Sequence, residues 1–363
     1  PISAKGVYVY DQNHQEYLDL YGGHAVISIG HSHPTYVKAI SEQVAKLGFY
    51  SNAIQNPLQK QLATKIELLS DCKDYQLFLC NSGAEANENA LKLASFKTGK
   101  SRVIAFKNGF HGRTSAAVAA TDNATIIAPI NAQQKVTTLE LNDIQGVERE
   151  LKKGDVCAVL IEFIQGVGGL DQATAEFFEQ VNVLCKANNT FFIADEVQSG
   201  YGRSGKFFAF QHYNVTPDII SIAKGMGNGF PIGGILIHPS IEAKFGMLGT
   251  TFGGNHLACV ASLSVLNVIE KEALIDNVKE MSEYFIKIAK TIPQIKNIKG
   301  RGLMLGLEFE YEVADLRKKL IYEYQIFTGG AANKKLLRIL PPLTIKKDHI
   351  NQFFEALVDA LHE

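Results

Sequence analysis

Short apolar runs, each bounded by turn-forming or charged residues, recur through the middle of the chain. Near-continuous apolar runs are typical of strands that are covered on both faces of a parallel sheet. Between them lie stretches with helical spacing, such as 175–188, where Phe178, Val181 and Cys185 share one face. This alternation predicts a doubly wound, mostly parallel α/β sheet. The predicted strands are 76–80, 102–106, 157–162, 191–195 and 218–223.

The pattern changes at about residue 256, where a long helical stretch begins and continues to about Lys290. A strand signal and a last amphipathic helix follow it. We therefore predict a large domain at 41–255, and a smaller α+β domain made of 1–40 and 256–363. The length of 363 residues fits this division, because single cores stop growing at roughly 250–300 residues.

Composition and charge exclude several function classes. The 36 Lys and Arg residues nearly balance the 37 Asp and Glu residues, so nothing favours nucleic acid or an anionic membrane as partner. No apolar run approaches the roughly 18 residues of a membrane span. The five scattered cysteines favour a reducing cytoplasm over a disulfide framework. His31 and His33 have no third ligand at metal spacing, so no metal is expected.

Residues that can bind a ligand or take part in a reaction lie directly after the predicted strands, where ligands bind in open α/β sheets. Ser82 and Glu85 have the spacing of a capping box, and a helix start beside Gly83 can seat a phosphate. An ordinary capped helix fits the same residues. Asp195 and Glu196 follow another strand; they suit a ligand or a metal, and a capped turn explains them equally well.

Lys224 ends an isoleucine-rich run and is followed by a glycine-rich stretch at 225–229. An unpaired buried lysine is costly unless it loses its charge or becomes covalently bonded, and a Schiff base with an aldehyde achieves both. Lys224 lies 29 residues after Asp195, so we expect one helical crossover to return the chain to the same sheet edge. Thr250 and Thr251, in a glycine-rich segment, offer further phosphate ligands. A surface lysine and a plain turn are the structural alternatives.

Taken together, a phosphate seat, an acid and an electrophile-binding lysine are what pyridoxal 5′-phosphate (PLP) requires. With these features the chain resembles the class III aminotransferases of PLP fold type I, and within them the acetylornithine aminotransferases. The motifs that carry the resemblance are NSGAEAN, FHGRT, DEVQSGYGRSG, SIAKGMGNGFPIG and TTFGGN. The resemblance implies PLP as cofactor and a homodimer with the active site at the subunit interface.

The resemblance also implies roles for individual residues. Lys224 matches the Schiff-base lysine, and Asp195 matches the partner of the pyridine nitrogen. The remaining cofactor-binding positions are Ser82, Gly83, Ala84, Phe110, Glu196, Val197, Gln198 and Thr251, the last from the partner subunit. Gly83 and Ala84 match the phosphate-binding pair, Phe110 the residue stacked on the ring, and Gln198 the partner of its phenolic oxygen. Arg113, Thr250 and Arg338 match substrate-binding positions.

The reaction implied by the resemblance moves the δ-amine of an N2-acylornithine to 2-oxoglutarate. It gives an N-acylglutamate 5-semialdehyde and glutamate in arginine biosynthesis, with acetyl favoured and succinyl possible. Many relatives carry a glutamate where this chain has Val167, and in ornithine-type relatives that glutamate pairs with the arginine matching Arg338. We therefore expect Arg338 to be free for a carboxylate in both half-reactions. Ornithine aminotransferases also place a tyrosine near His24, and we expect no such phenol here.

Several alternatives stay open at this point. Other amine donors are ornithine, 4-aminobutyrate, acetyl-lysine and succinyl-diaminopimelate. A nicotinamide-dependent dehydrogenase shares the α/β pattern, but the chain lacks G-x-G-x-x-G after a first strand, and Lys224 would have no role. A non-catalytic protein of the same fold predicts loss of Lys224 or Asp195, and both are present.

Overall fold

The computed structural model describes residues 1–242 and 244–362. The strands are β1 (Ser3–Lys5), β2 (Tyr8–Tyr10), β3 (Glu16–Asp19), β4 (Gln76–Cys80), β5 (Arg102–Phe106), β6 (Val136–Leu139), β7 (Val156–Ile161), β8 (Phe191–Asp195), β9 (Ile219–Ile222), β10 (Gly233–Ile237), β11 (Asn297–Arg301), β12 (Met304–Glu308), β13 (Ile326–Phe327) and β14 (Leu336–Ile339). The helices are α1 (Gly22–Ala25), α2 (Pro34–Val44), α3 (Pro57–Ser70), α4 (Gly83–Thr98), α5 (Ser115–Ala119), α6 (Ile144–Leu151), α7 (Ala175–Ala187), α8 (His256–Lys271), α9 (Leu274–Ala289), α10 (Ala314–Tyr322) and α11 (Lys347–His362).

A seven-stranded sheet in the order β4-β10-β9-β8-β7-β5-β6 forms the centre of the molecule. Only β10 runs antiparallel to its neighbours β4 and β9, which confirms the mostly parallel sheet. All five predicted strands are present. Sequence reasoning missed β6 and β10, because VTTL is half polar and GGILI begins with two glycines, which weaken a strand signal.

The expected helical crossover between Asp195 and Lys224 is wrong. Strands β8 and β9 are parallel neighbours, but the chain between them forms turns and one short 3-10 helix, Ala209–His212. Glycines interrupt this segment, and its aromatic side chains pack on one another instead of along a helix face; Tyr201 and Phe207 have ring centroids 5.1 Å apart. The connection is therefore an ordered loop beneath the sheet edge.

The amino-terminal strands lie beside the carboxyl-terminal part of the chain. β1, β2 and β3 form a sheet that is completed by β13, and β11, β12 and β14 form a second small sheet. Helix α8 packs against both α2 and α3, and residue 41, the predicted boundary, lies inside α2. The division into 41–255 and 1–40 with 256–363 stays a prediction.

The predicted long helix after residue 256 is two helices, α8 and α9. Ala273 lies between them in the left-handed region, with φ 48°, which ends one helix before the next begins. No helix in the described parts of the chain has both the length and the apolar character needed to cross a membrane.

Candidate active site

Three segments meet at the carboxyl ends of β4, β8 and β9, where they enclose a cavity of about 430 Å³. The cavity is lined by nine of the residues that the sequence singled out: Ser82, Gly83, Ala84, Phe110, Arg113, Asp195, Val197, Gln198 and Lys224. Four others do not line it: Glu196, Thr250, Thr251 and Arg338. Residues far apart in sequence are thus brought to one edge of the sheet, outside the carboxyl ends of its strands, where ligands bind in open α/β sheets.

The amino terminus of α4 faces this cavity and can bind an anion. Ser82 caps the helix, since its Oγ accepts a hydrogen bond from Glu85 N at 3.1 Å. The Glu85 carboxylate accepts from Asn81 N at 2.9 Å and not from the Ser82 amide, so the capping box is only half formed. At Gly83 a Cβ would lie 2.6 Å from Val197 Cγ1, so only glycine fits there. The helix start therefore leaves free N–H groups at the cavity wall.

Asp195 is buried and held by three donors. Its Oδ2 accepts from Asn87 Nδ2 at 2.8 Å and lies 2.8 Å from His111 Nδ1, while its Oδ1 accepts from Val197 N at 3.1 Å. Burial lowers the pKa of His111, but Asp195 and Glu162 outweigh it, and the pKa is raised overall. The positive charge that a raised pKa favours on His111 complements the Asp195 carboxylate, which suits a carboxylate that must face a ring N–H.

Sequence reasoning missed Asn87 and His111. A signal was available for each: Asn87 lies one turn into the helix that begins at Gly83, and His111 stands beside Phe110 in the FHGRT motif. Neither residue type shows by itself which group it contacts. Only the fold shows that both bond the same carboxylate oxygen.

Lys224 begins a short 3-10 turn directly after β9 and faces the cavity with φ 47°. Burial is the largest influence on its pKa, which is lowered, while the charges of Asp195 and Glu162 partly oppose this. A lowered pKa favours the neutral amine, which is the form that attacks an aldehyde.

The residues present fit PLP. The buried Oε1 of Gln198 has no hydrogen-bond partner among the described residues, so the cavity leaves a polar atom for a ligand to satisfy. Phe110 offers an aromatic face beside Asp195. PLP would be held by Lys224 at its aldehyde, Asp195 at its ring nitrogen and the α4 terminus at its phosphate.

Glu196 does not face the cavity, so a cofactor contact through its side chain is not supported. Successive side chains at a strand end point to opposite faces, and Asp195 occupies the cavity side. The Glu196 carboxylate accepts from Ser199 Oγ at 2.6 Å, Ala209 N at 2.9 Å and Phe210 N at 2.8 Å. It anchors the loop between β8 and β9, and burial raises its pKa to about 7.

Replacing Glu196 with glutamine is expected to flatten the pH dependence of stability. Between pH 4.5, the ordinary glutamate value, and about 7, native Glu196 holds a proton that the unfolded chain has lost. The free energy of unfolding of the wild type therefore falls as pH rises through that window, by on the order of 3 kcal/mol. Urea denaturation at several pH values measures both slopes. Equal slopes in Glu196→Gln and wild type would contradict the role of this carboxyl group.

Thr250 and Thr251 lie in a loop outside this cavity. Thr250 Oγ1 accepts from Gly253 N at 3.0 Å, and Asn52 Nδ2 donates to the Thr250 carbonyl at 3.2 Å. The loop borders a separate depression. A contribution of these threonines to the site of another subunit stays a prediction.

Arg338, on β14, is 4% exposed and lies close enough to Lys224 for its charge to lower the lysine pKa. Its Nη1 donates to the Gly166 carbonyl at 2.5 Å, but its buried Nε has no partner. Within 1–242 and 244–362 no carboxylate forms an ion pair with it. Glu162, a carboxylate whose charge raises the pKa of Arg338, is itself bonded to Phe110 N and Gly166 N. A buried guanidinium is thus available to an incoming anion.

The expectation that no tyrosine lies near His24 is wrong. Tyr21 precedes His24 by three residues, and its hydroxyl lies 2.5 Å from His24 Nδ1. This contact could not be predicted from the sequence, because it depends on the unusual backbone of the turn α1, in which all four residues have positive φ. A phenol is therefore present beside Arg338 after all.

His31 and His33 bind carboxylates instead of each other. His31 Nε2 lies 2.8 Å from Asp19 Oδ2, and His33 Nε2 lies 2.9 Å from Glu272 Oε1. Among the residues that the structure describes, no group of three or more metal-ligating side chains comes together.

Known proteins resemble this chain over nearly its whole length. The model of the family "Aminotransferase class-III" matches residues 2–361. The acetylornithine aminotransferase of Bacillus subtilis (strain 168) is 38% identical, covering 99% of this chain and 94% of the relative. That of Aquifex aeolicus (strain VF5) is 39% identical over 99% and 96%. A Toxoplasma gondii ornithine aminotransferase structure, described with partial PLP occupancy at its active site, has TM-score 0.89 at 28% identity over 99% and 89%.

Proposed function

Because this chain belongs to the class-III aminotransferases, and is therefore a PLP-dependent aminotransferase, we propose that it acts on the δ-amine of an N2-acylornithine. 2-Oxoglutarate is the amino acceptor, and the products are an N-acylglutamate 5-semialdehyde and glutamate, in arginine biosynthesis. Acetyl is the favoured acyl group, since acetylornithine is in the names of the relatives. The observation that carries the proposal is the cavity that presents Lys224 and Asp195, with Arg338 nearby and its buried Nε without a hydrogen-bond partner.

The residues at the cavity have separate roles in the proposed reaction. Lys224 would hold the cofactor's aldehyde, and its amine, when free, is placed to take a proton from the reacting carbon of the substrate and to return it. Asp195, held by His111 and Asn87, would pair with the ring nitrogen. Phe110 would orient the ring, and the α4 terminus would bind the phosphate. PLP, when bound, supplies the electron sink.

Arg113 and Arg338 bind the substrate carboxylates. Arg113 lies exposed at the cavity wall and has no ion pair among the described residues. A dicarboxylate such as 2-oxoglutarate can engage both guanidinium groups by bidentate pairing. An acylornithine carries one α-carboxylate, which either arginine can bind, and its blocked α-nitrogen brings no positive charge near them.

Free ornithine is the second candidate donor, because Tyr21 provides a phenol near the substrate end of the cavity. Single-turnover reactions with N-acetylornithine, N-succinylornithine, ornithine and 4-aminobutyrate, followed by loss of the visible absorbance of lysine-bound PLP, separate the candidates. We expect an acylated donor to react at least about tenfold faster than ornithine, since the free α-ammonium is repelled by two guanidinium groups. Fastest reaction with ornithine would overturn the acylornithine proposal and leave the aminotransferase chemistry intact.

Replacing Val167 with glutamate is expected to raise the KM for 2-oxoglutarate about tenfold. Residue 167 follows Gly166, whose carbonyl accepts from Arg338, so a carboxylate there can pair with the guanidinium and compete with substrate. Steady-state kinetics with both substrates measure the effect, with Val167→Gln as the neutral control. Unchanged KM for 2-oxoglutarate together with unchanged acylornithine turnover would contradict a free Arg338.

We also propose a homodimer in which Thr251 reaches the phosphate in the partner's site. Large apolar side chains near the threonine loop support this, since Phe49, Phe245 and Phe252 are all exposed. Light scattering should give twice the chain mass of 39.8 kDa. Thr251→Ala should weaken PLP binding about tenfold without changing that mass. A monomer that binds PLP at full strength would contradict the arrangement.

The cytoplasm is the proposed location. All five cysteines are free thiols and buried, which is the usage expected in a reducing compartment. Burial raises the pKa of Cys80, the thiol next to the cavity, to about 12, so it stays unreactive.

A further inference from the structure

A second cavity, of about 330 Å³, lies between the start of α10 and the segment that joins β13 to β14. None of the residues that line it also lines the cavity of the candidate active site. Its charged lining residues are Arg317, Lys334 and Glu312. Two cations against one carboxylate give this wall an excess of positive charge, and the proposed reaction uses none of the three.

The guanidinium of Arg317 is half-buried and only partly bonded. Its Nη2 donates to the Thr328 carbonyl at 3.1 Å, but its buried Nε has no hydrogen-bond partner. Lys334 pairs with Glu312 at 3.7 Å, whereas no carboxylate of the described residues forms an ion pair with Arg317. A guanidinium with unused donors favours an acceptor, and oxyanions match its planar fork of N–H groups.

Backbone donors lie beside this guanidinium. A Cβ at Gly330 would lie 2.7 Å from Arg317 Nη1, so the backbone here comes close to the charged group. The N–H groups of Gly330 and Ala331, which line the same cavity, find no acceptor within 1–242 and 244–362. Successive free N–H groups next to a cation are typical of concave sites that bind phosphate and related oxyanions.

The same segment connects this cavity to Arg338. Thr328, which accepts from Arg317, precedes Gly329, and Gly329 exchanges two backbone hydrogen bonds with Arg338, at 2.8 and 2.9 Å. Burial is the largest influence that lowers the pKa of Arg338, and the charge of Arg317 adds to it, so the two guanidinium groups interact. Negative charge placed at Arg317 therefore acts on Arg338 as well.

We propose that this second cavity binds a small oxyanion of the phosphate type, held by Arg317, Lys334 and the two free N–H groups, and that the bound anion weakens the binding of 2-oxoglutarate at Arg338. The second half rests on the proposed function, and the first half does not. The anion cancels the charge of Arg317 and repels the substrate carboxylate. The free phosphate ion and the phosphate group of a small ester share this chemistry.

Four variants separate the site from other effects of phosphate. Arg317→Gln removes the guanidinium, and Lys334→Gln removes an exposed ammonium at little risk to folding. Glu312→Gln removes the competing carboxylate and should improve binding, a gain that damage to the fold cannot imitate. Lys335→Gln is the matched control, because Lys335 is the next exposed lysine in the chain and does not line the cavity.

The holoenzyme is titrated with inorganic phosphate at constant ionic strength, and the Kd is taken from the rise in Tm. Arg317→Gln is expected to weaken binding by at least about tenfold, and Lys334→Gln by about threefold. Glu312→Gln should tighten it about threefold, and Lys335→Gln should stay within about twofold of wild type. Glycerol 3-phosphate is titrated in parallel: tighter binding of the ester assigns the site to a phosphate ester, and tighter binding of inorganic phosphate assigns it to the free ion.

Saturating phosphate is expected to raise the KM for 2-oxoglutarate about threefold in wild type and in Lys335→Gln, and to leave that of Arg317→Gln unchanged. The same Kd for phosphate in wild type, Arg317→Gln and Lys334→Gln would overturn the anion site, and so would a Kd that Glu312→Gln does not lower. A KM that phosphate raises equally in wild type and Arg317→Gln would overturn the link to Arg338. If 2-oxoglutarate is not the amino acceptor, the proposed function is wrong, and the Tm titrations still decide the anion site.

Discussion

Replacing Lys224 with alanine is expected to lower kcat by at least about 10⁴-fold. The ammonium group lies at the end of β9, and burial lowers its pKa. Removing it takes away both the covalent anchor of the cofactor and the proton carrier at the reacting carbon. Positioned general acid–base catalysis alone is worth about 10²–10⁴-fold, and effective molarity adds to that.

Two measurements accompany the kinetics of this variant. Borohydride reduction followed by peptide mass spectrometry should place the cofactor on the peptide that contains Lys224 in wild type, and should fail in Lys224→Ala. Lys107→Ala is the matched control, since Lys107 also follows a parallel strand, β5, but is exposed. Retention of more than about a hundredth of the activity in Lys224→Ala would contradict its assignment.

Replacing Asp195 with asparagine is expected to reduce kcat about 10³-fold. Two donors, Asn87 Nδ2 and His111 Nδ1, meet Asp195 Oδ2, so an amide in this place must turn its oxygen toward them. Its NH₂ group then takes the place of Oδ1, where it loses the hydrogen bond from Val197 N and cannot accept the proton of a ring nitrogen. The ring loses that proton and with it most of its capacity as an electron sink.

The absorbance of the bound cofactor, titrated with pH, should show this loss directly in Asp195→Asn. Asp218→Asn is the control: Asp218 is a partly buried aspartate whose carboxylate accepts from Phe192 N at 2.8 Å, at the other end of the same sheet. It should lose stability and keep its kcat. Activity of Asp195→Asn within about tenfold of wild type would show that ring protonation does not need this carboxylate.

The strands of the central sheet, and the cavity residues that directly follow them, were predictable because the relevant signals are local, whereas Phe110 and Arg113 came from the family resemblance. An apolar run followed by glycine, serine or a charged residue marks the carboxyl end of a strand, and parallel strands bring those ends together. Lys224 and Asp195 could be placed in this way. The loop between them could not, because its glycines and aromatic residues fold by packing on one another without a repeating pattern.

Residues whose roles depend on contacts across the fold were beyond sequence reasoning. Asn87 and His111 meet Asp195 only when α4 and the segment after β5 converge on β8. The contact of Tyr21 with His24 requires a left-handed turn. Gly22 and Gly23 permit such a turn, but two glycines alone do not predict it. The position of the Glu196 side chain away from the cavity could not be foreseen, because adjacency in a motif says nothing about which face of a strand end a side chain occupies.

The most direct test of the central claim follows the nitrogen itself. N-acetylornithine labelled with ¹⁵N at the δ-position is incubated with holoenzyme and 2-oxoglutarate, and the glutamate formed is examined by mass spectrometry. An aminotransferase acting at the δ-amine puts the label into glutamate, one for each N-acetylglutamate 5-semialdehyde released. Glutamate that stays unlabelled, or label that stays on the donor while wild type still reacts with free ornithine, would contradict the proposed reaction.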